Sequence, residues 1–166
     1  MKTFRANGKL LISGEYTILD GSLSLALPTQ RGQVLHYKEV DHDILHWRSL
    51  DVKGETWFEA HFKGNKLTVV DSSDDRIADT LKEILLAAAG LSNAANRLRG
   101  EVTTALEFPT DWGLGSSSTL LCCVAQCFGI DPIQLHFKVS NGSGYDVACG
   151  MTDSAITYQL SDGYFL

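Results

Sequence analysis

Several features are missing from the 166-residue sequence, and each absence argues against a class of protein. No apolar run approaches the roughly 18 residues that a membrane-spanning helix needs. The early apolar run Leu10-Leu11-Ile12 is too short to be the core of a signal peptide. A net charge of −6 leaves no basic surface for general nucleic-acid binding. We therefore expect a cytoplasmic protein that has neither a membrane nor a nucleic acid as its partner.

The cysteines also lack a recognisable metal-binding or redox spacing. Cys122, Cys123 and Cys127 lie in one apolar segment, and Cys149 follows further along the chain. Because nothing directs the chain to an oxidising compartment, we expect four free thiols, most of them buried.

The composition is that of an ordinary globular domain, with 44% apolar and 20% charged residues. No internal repeat, low-complexity tract or linker divides it, so we expect one domain over residues 1–166. The last residues, Tyr164-Phe165-Leu166, are unusually apolar for a natural terminus. This ending predicts that the chain is the N-terminal portion of a longer protein.

The apolar pattern changes near residue 74. Before it, short alternating segments bounded by Gly, Asp or Asn predict strands at 9–13, 24–28, 33–40, 43–50, 56–62 and 66–70. After it, Ile77, Leu81, Ile84, Leu85 and Ala88 recur at helical spacing. Ser72, Ser73 or Asp74 is the expected N-cap of this helix, and Gly90 its expected end.

Strands and helices then alternate to the end of the chain. We predict a strand at 101–108, a central apolar helix at about 116–128, a short helical piece after Asp131-Pro132 and a last strand at 153–160. This order indicates an α+β architecture in which a mostly antiparallel sheet is covered by helices.

The stretch Gly113-Leu114-Gly115-Ser116-Ser117-Ser118 admits two interpretations. Glycines allow a ligand to approach the backbone, and a helix N-terminus attracts anions, so the stretch could bind phosphate. It lacks the lysine of a Walker loop and the third glycine of a Rossmann fingerprint. Taken alone, the stretch is better explained as an ordinary capped helix start.

Two further clusters are weak individually. In Asn141-Gly142-Ser143-Gly144-Tyr145-Asp146, the carboxylate either acts as a general base or caps a short helix. In Asn7-Gly8-Lys9, the ammonium either reaches a phosphate or lies on the surface at a strand start. The joint order of the three clusters is more specific than any one of them.

In that order, "GKLLISGEY", "GLGSSS" and "GSGYD" resemble the N-terminal domain of the GHMP kinases, named for galactokinase, homoserine kinase, mevalonate kinase and phosphomevalonate kinase. The resemblance runs from Phe4 to about Leu160. It implies the two-layer α+β sandwich that also occurs in a ribosomal protein domain. It also implies ATP-dependent phosphorylation of a small metabolite, with ATP and Mg²⁺ as cofactors, and a C-terminal domain that this chain lacks.

The resemblance assigns roles residue by residue. Gly113, Leu114, Gly115, Ser116, Ser117 and Ser118 match the ATP phosphate loop, and Ser116 and Ser117 match positions that help to hold magnesium. Asp146 matches the catalytic aspartate, and Lys9 the lysine near it. Glu15, Tyr16, Gly142, Ser143 and Gly144 are the expected substrate-binding residues.

Three departures from the family pattern bear on the reaction. Asn7 stands where proline is usual, and Tyr16 stands where galactokinases and mevalonate kinases tend to have histidine. Between Ser118 and Gly142, where many members carry a magnesium-binding glutamate, the only carboxylate is Asp131. The forms "GEY" and "GSGYD" favour mevalonate or phosphomevalonate as the acceptor. The alternatives are a homoserine or sugar kinase, a catalytically degenerate nucleotide-binding module, and a nucleic-acid-associated domain of the same fold.

Overall fold

The computed structural model describes residues 1–15, 17–92, 99–161 and 164–165. Its strands are β1 (Lys2–Ser13), β2 (Ser24–Glu39), β3 (Ile44–Leu50), β4 (Thr56–Lys63), β5 (Thr68–Ser72), β6 (Gly100–Leu106), β7 (Ile156–Tyr158), β8 (Leu160–Ser161) and β9 (Tyr164–Phe165). Its helices are α1 (Asp75–Leu91), α2 (Ser116–Phe128), α3 (Pro132–Val139) and α4 (Tyr145–Gly150). Short 3₁₀ helices lie at Ile18–Asp20 and Thr110–Trp112.

One mixed sheet organises the described residues. Its strand order is β1-β2-β6-β3-β4-β5, and β7 pairs with one end of β2. All pairs in this sheet are antiparallel except β3 with β6, which run parallel. The predicted α+β fold with a mostly antiparallel sheet is confirmed.

The helices cover one face of the sheet. Along β3, Leu45, Trp47 and Ser49 are buried, while the alternating residues His46 and Arg48 are not. The buried side chains of the strands form one core cluster with those of the helices, and α2 packs centrally against β1 and β2. Such alternation is expected of a sheet with one covered face.

The N-cap of α1 is one of the three predicted residues, but the helix does not end where the sequence predicted. The Asp74 side chain accepts hydrogen bonds from the backbone N–H groups of Arg76 and Ile77, so it is the N-cap of α1. The expectation that Gly90 ends this helix is wrong. The helix continues to Leu91, because the N–H of Ser92 still bonds to the carbonyl of Ala88, at 3.0 Å.

The strands predicted at 24–28 and 33–40 are one strand. Residues of β2 pair with β1 from Leu25 to Tyr37, and Gly32 allows the two backbones to approach closely. A Cβ on Gly32 would lie 1.9 Å from the carbonyl oxygen of Ala6, a distance that no side chain tolerates. Pairing across the sheet therefore overrides the turn signal that the intervening residues carry.

The cysteines are free thiols, as the sequence predicted. Cys122, Cys123 and Cys149 are buried, and Cys127 is half-buried. Burial raises the pKa of Cys123 to about 12 and that of Cys127 to about 11. Among the helices in the described ranges, none is both long and apolar enough to cross a membrane.

Candidate active site

The three clusters are numbered in chain order: Asn7–Lys9 is the first, Gly113–Ser118 the second and Asn141–Asp146 the third. Lys9, in the first cluster, follows an irregularity in β1. The pairing of β1 with β2 shifts register between Asn7 and Lys9. Gly8 sits at this point, where an added Cβ would lie 2.6 Å from Thr29 Oγ1 and 3.1 Å from the carbonyl oxygen of Leu114. The irregularity turns the N–H of Lys9 toward Leu114, whose carbonyl accepts it at 3.0 Å. The first and second clusters are thus joined through their backbones.

Asn7, which stands where the GHMP kinase pattern usually has proline, ties the same strand to the segment after α4. Its side-chain Nδ2 donates to the carbonyl of Thr152 at 2.8 Å and to Asp153 Oδ1 at 3.2 Å. A proline could make neither bond. Asn7 therefore joins β1 to this segment through two side-chain hydrogen bonds.

The second cluster forms a tight loop that opens α2. Gly113 and Gly115 both have positive φ angles, 68° and 85°, and Gly115 is the N-cap residue of α2. This helix start has no side-chain cap, whereas α1 and α3 begin with the capping carboxylates of Asp74 and Asp131. An uncapped helix start presents its first N–H groups and the positive end of its dipole to an anion.

The three loop serines have different environments. Ser118 is buried, and its hydroxyl donates to the carbonyl of Gly115 at 2.9 Å, which closes the turn. Ser116 is half-buried and Ser117 is exposed, so their hydroxyls can face a ligand. Leu114 points inward and packs with Leu106 and Phe108, which anchors the loop to the end of β6.

The third cluster places Asp146 in the first turn of α4. Gly144, with φ of 80°, is the N-cap residue, so the interpretation of Asp146 as a helix cap is wrong. The Oδ1 atom of Asp146 accepts a hydrogen bond from the N–H of Val147 at 2.9 Å. The side chain is half-buried.

One cavity of about 480 Å³ brings the second and third clusters together. Ser116, Ser117 and Ser118 line it beside Asp146. Trp47 on the sheet and Thr80 on α1 lie along its other walls. Its carboxylates are those of Asp146 and Glu83. A space of this size and mixed lining suits a small-molecule ligand.

Lys9 lies beside this group of residues but does not line the cavity. Its Nζ is 5.4 Å from the centre of the Tyr145 ring, within cation–π range. Its stem runs past Gly115, where an added Cβ would lie 3.2 Å from Lys9 Cε. Within the described chain, the ion pairs found within 4 Å do not include Lys9 with Asp146.

The Cys149 thiol is influenced by the charges of both Lys9 and Asp146. Burial raises the pKa of this thiol to about 11; the Lys9 ammonium lowers the pKa, and the Asp146 carboxylate raises it. Cys149 is therefore within electrostatic range of both proposed catalytic residues, which belong to β1 and α4.

The expected substrate-binding residues differ in how exposed they are. Glu15 is exposed in the turn after Gly14 and does not line the cavity, while Tyr16 lies outside the described residues. Gly142 is exposed, but Ser143 and Gly144 are buried.

Four residues at the site carried no sequence signal. Gln33 on β2 is buried, and its side-chain oxygen accepts a bond from the Thr119 hydroxyl at 2.7 Å. Glu83 and His136 line the cavity from α1 and α3. Tyr158 on β7 donates a hydrogen bond to the carbonyl of Ser143. Each reaches the site through tertiary contacts, so no local motif marks it.

The donor set suits a magnesium ion that arrives with a nucleotide. No three His, Cys, Asp or Glu side chains in the described ranges converge as a metal site. The hydroxyls of Ser116 and Ser117 and the carboxylates of Asp146 and Glu83 line the same cavity. Hard oxygen ligands suit Mg²⁺, which usually keeps several waters and binds phosphate oxygens. Asp131, by contrast, caps α3 through Oδ1, at 2.8 Å from the N–H of Ile133.

Neither a protein-family model nor a curated protein sequence matches the chain. Solved structures do match. Streptococcus pneumoniae phosphomevalonate kinase in complex with phosphomevalonate and AMPPNP matches with a TM-score of 0.71 and 20% identity over 98% of this chain and 51% of that one. Lactococcus lactis galactokinase complexed with galactose matches with a TM-score of 0.69 and 16% identity over 99% and 46%. Methanococcus jannaschii mevalonate kinase matches with a TM-score of 0.67 and 10% identity over 99% and 55%.

The chain thus spans about half the length of the kinases that it matches. At these identities the likeness concerns the fold. The predicted resemblance to the N-terminal domain of GHMP kinases is confirmed at that level: the chain has the fold that galactokinase, mevalonate kinase and phosphomevalonate kinase share.

Proposed function

We propose that this protein is an ATP-dependent kinase that transfers the γ-phosphate to a hydroxyl or phosphate group of a small metabolite. One observation carries the proposal. A single cavity is lined both by the uncapped start of α2, which suits phosphate, and by Asp146, which suits a proton acceptor. The fold shared with kinases of several acceptors supports it.

In this proposal the phosphates of ATP bind at Gly113–Ser118. The N–H groups of the first turn of α2 donate to phosphate oxygens, and the positive φ angles of Gly113 and Gly115 shape the loop around them. Ser116 and Ser117 are the residues that would hold Mg²⁺ with the nucleotide, and Glu83 lines the same cavity. When bound, the ion neutralises negative charge on the phosphates.

Asp146 accepts the proton of the acceptor hydroxyl, or orients that hydroxyl, as the phosphoryl group is transferred. The Lys9 ammonium, held against the Tyr145 ring, supplies positive charge beside the reacting groups. For an acceptor phosphate, Asp146 orients rather than deprotonates, since a phosphate oxygen is already ionised near neutral pH.

The favoured acceptor is mevalonate or phosphomevalonate, on the strength of "GEY" and "GSGYD". The solved structures of this fold include a galactokinase as well as mevalonate and phosphomevalonate kinases, so a sugar is also tested. Homoserine is tested because the GHMP kinases also include homoserine kinase. We place the activity in the cytoplasm, where ATP and these metabolites are available.

The test is a coupled ADP-release assay on the protein expressed from its native gene, with mevalonate, phosphomevalonate, homoserine and galactose. ADP release that is faster with one of these acceptors than without any acceptor supports the proposal and identifies the acceptor class. Calorimetric titration with ATP, with and without Mg²⁺, accompanies it. ATP binding without turnover on any acceptor would instead indicate a degenerate nucleotide-binding module, and absence of both would refute the proposal.

A further inference from the structure

Two buried side chains from different elements bond to consecutive carbonyl groups just before Asp146. His136, on α3, has Nε2 at 3.0 Å from the carbonyl oxygen of Gly142. Tyr158, on β7, donates its hydroxyl proton to the carbonyl oxygen of Ser143. Only 5% of His136 and 3% of Tyr158 is exposed, so water competes little for either bond.

Both rings also pack against Gly144, the last glycine of this loop. A Cβ on Gly144 would lie 3.2 Å from Cδ2 of His136 and 3.5 Å from the Tyr158 hydroxyl oxygen. A Cβ on Gly142 would lie 3.4 Å from Cε1 of His136. At Gly144 the His136 ring thus leaves little room for a side chain, whereas its distance from Gly142 is an ordinary van der Waals contact. Gly144 also has a φ of 80°, which disfavours any side chain there.

The proton positions at the two bonds follow from chemistry. A carbonyl oxygen can only accept a hydrogen bond, so Nε2 of His136 carries a proton. The Tyr158 hydroxyl is the donor to Ser143 for the same reason. Burial, with a smaller effect of the Asp146 carboxylate, raises the pKa of Tyr158, so this donor stays protonated at neutral pH.

The loop leads directly into the helical turn that carries Asp146. Gly144 is the N-cap residue of α4, and its carbonyl accepts the N–H of Ala148 at 3.0 Å. Fixing the carbonyls of Gly142 and Ser143 therefore fixes where α4 begins. His136 also lines the cavity together with Asp146, so the restraint acts at the wall of the site.

We propose that His136 and Tyr158 are positioning residues that clamp the loop from Gly142 to Gly144 and thereby set the position of Asp146 for phosphoryl transfer. The clamp itself is a feature of the fold. Its catalytic consequence rests on the proposed kinase function, so the two are tested by separate measurements.

Hydrogen exchange tests the clamp without any substrate. In the full chain, Tyr158→Phe and His136→Leu should speed exchange of the Ala148 amide roughly fivefold, the effect of losing one buried hydrogen bond. His136→Gln should stay near the wild-type rate, because its amide nitrogen can replace Nε2 as the donor. Tyr37→Phe is the matched control: it removes a hydroxyl that donates to the carbonyl of Arg99 at 3.2 Å, outside the cavity lining.

Kinetics then test the catalytic consequence. With the acceptor identified by ADP release, Tyr158→Phe and His136→Leu should lower kcat by about 10- to 100-fold, as small misplacements of reacting groups do. In Tyr158→Phe the KM for ATP should change less than about twofold, since Tyr158 does not line the cavity. His136→Gln should recover most of the kcat that His136→Leu loses.

The outcomes separate the two ideas. Unchanged exchange at Ala148 in both Tyr158→Phe and His136→Leu overturns the clamp. Faster exchange with unchanged kcat overturns the positioning role. If the wild-type protein phosphorylates no acceptor, the proposed function fails, and the exchange measurement still decides whether the clamp exists.

Discussion

The backbone N–H of Lys9 donates a hydrogen bond to the carbonyl oxygen of Leu114 at 3.0 Å. This bond joins the irregularity in β1 to the loop that opens α2. Gly8 makes it possible, because a Cβ there would lie 3.1 Å from the same carbonyl oxygen. The position of the proposed phosphate loop therefore depends on a strand more than one hundred residues earlier in the chain.

Two glycines of the loop differ in how much room surrounds them, which gives a matched pair of variants. At Gly115 an added Cβ would lie 2.5 Å from Ser118 Oγ, while at Gly113 nothing lies within 4 Å. Both have positive φ, so Gly113→Ala should cost only the backbone strain of about 1–2 kcal/mol. Gly115→Ala adds a steric clash of roughly 1–3 kcal/mol.

Denaturant unfolding and ATP titration measure both effects. Gly115→Ala should weaken nucleotide binding clearly more than Gly113→Ala, as well as lowering the free energy of unfolding further. Equal losses of ATP affinity and of the free energy of unfolding in the two variants would show that crowding at Gly115 does not shape the loop.

The contact between Lys9 and Tyr145 can be detected by NMR. With Nζ 5.4 Å from the ring centre, the ε-methylene protons of Lys9 should be shifted upfield by the ring current. Tyr145→Leu should remove this shift, and Tyr145→Phe should keep it, because the phenyl face also attracts a cation. An unchanged Lys9 resonance in Tyr145→Leu would contradict the contact.

Under the proposed function, Glu83 would supply a carboxylate near the Mg²⁺ that Ser116 and Ser117 hold. It lines the cavity from α1, whereas Asp79 on the same helix does not. Glu83→Gln should raise the Mg²⁺ concentration for half-maximal activity roughly fivefold, which corresponds to about 1 kcal/mol of lost attraction. Asp79→Asn, which removes an equal charge, should leave the Mg²⁺ dependence unchanged. The same Mg²⁺ requirement in both variants would rule Glu83 out.

The ion pair of Arg5 and Glu107 predicts a dependence of stability on pH. The hydrogen bond from Arg5, at 2.8 Å, is the main cause that holds the pKa of Glu107 below its ordinary value of 4.5. Because the folded-state pKa is the lower one, the pair stabilises the fold above pH 4.5, and this contribution is lost as the pH falls below that value.

Thermal unfolding of Glu107→Gln therefore gives a lower Tm than wild type at pH 7, and the difference should shrink steadily below about pH 4.5. The control is Glu101→Gln, which breaks a pair with Lys38 whose side chains are 53% and 59% exposed. Its effect at pH 7 should be smaller, since this pair is more exposed than Arg5 and Glu107, whose side chains are 41% and 37% exposed. A Tm difference for Glu107→Gln that persists at low pH would contradict this assignment.

The sequence predicted those elements whose signals are local. The start of α2 at Ser116 and the cap of α1 at Asp74 follow from residues within one helical turn. The continuity of β2 could not be predicted, because it depends on pairing with β1 on one side and β6 on the other. Turn-forming residues near Gly32 indicated a break that these partners override.

The residues of the site also divide into those that a local sequence motif predicts and those that only the fold identifies. The loops around Ser116 and Asp146 were predicted from short motifs, and one cavity joins them. The contributions of Glu83, His136 and Tyr158 arise from elements that are distant in the chain. A single histidine or tyrosine in an amphipathic element has no distinguishing sequence pattern, so only the folded arrangement identifies it.

The most direct test of the account is the pair of variants Asp146→Asn and Asp79→Asn, assayed for ATP affinity by calorimetry and for ADP release with the identified acceptor. Asp146→Asn should bind ATP within a few-fold of wild type and lose about 10²- to 10⁴-fold in kcat, as expected for removal of a general base. Asp79→Asn should match wild type in both. An Asp146→Asn protein that turns over at the wild-type rate would contradict the central claim that Asp146 is the catalytic carboxylate.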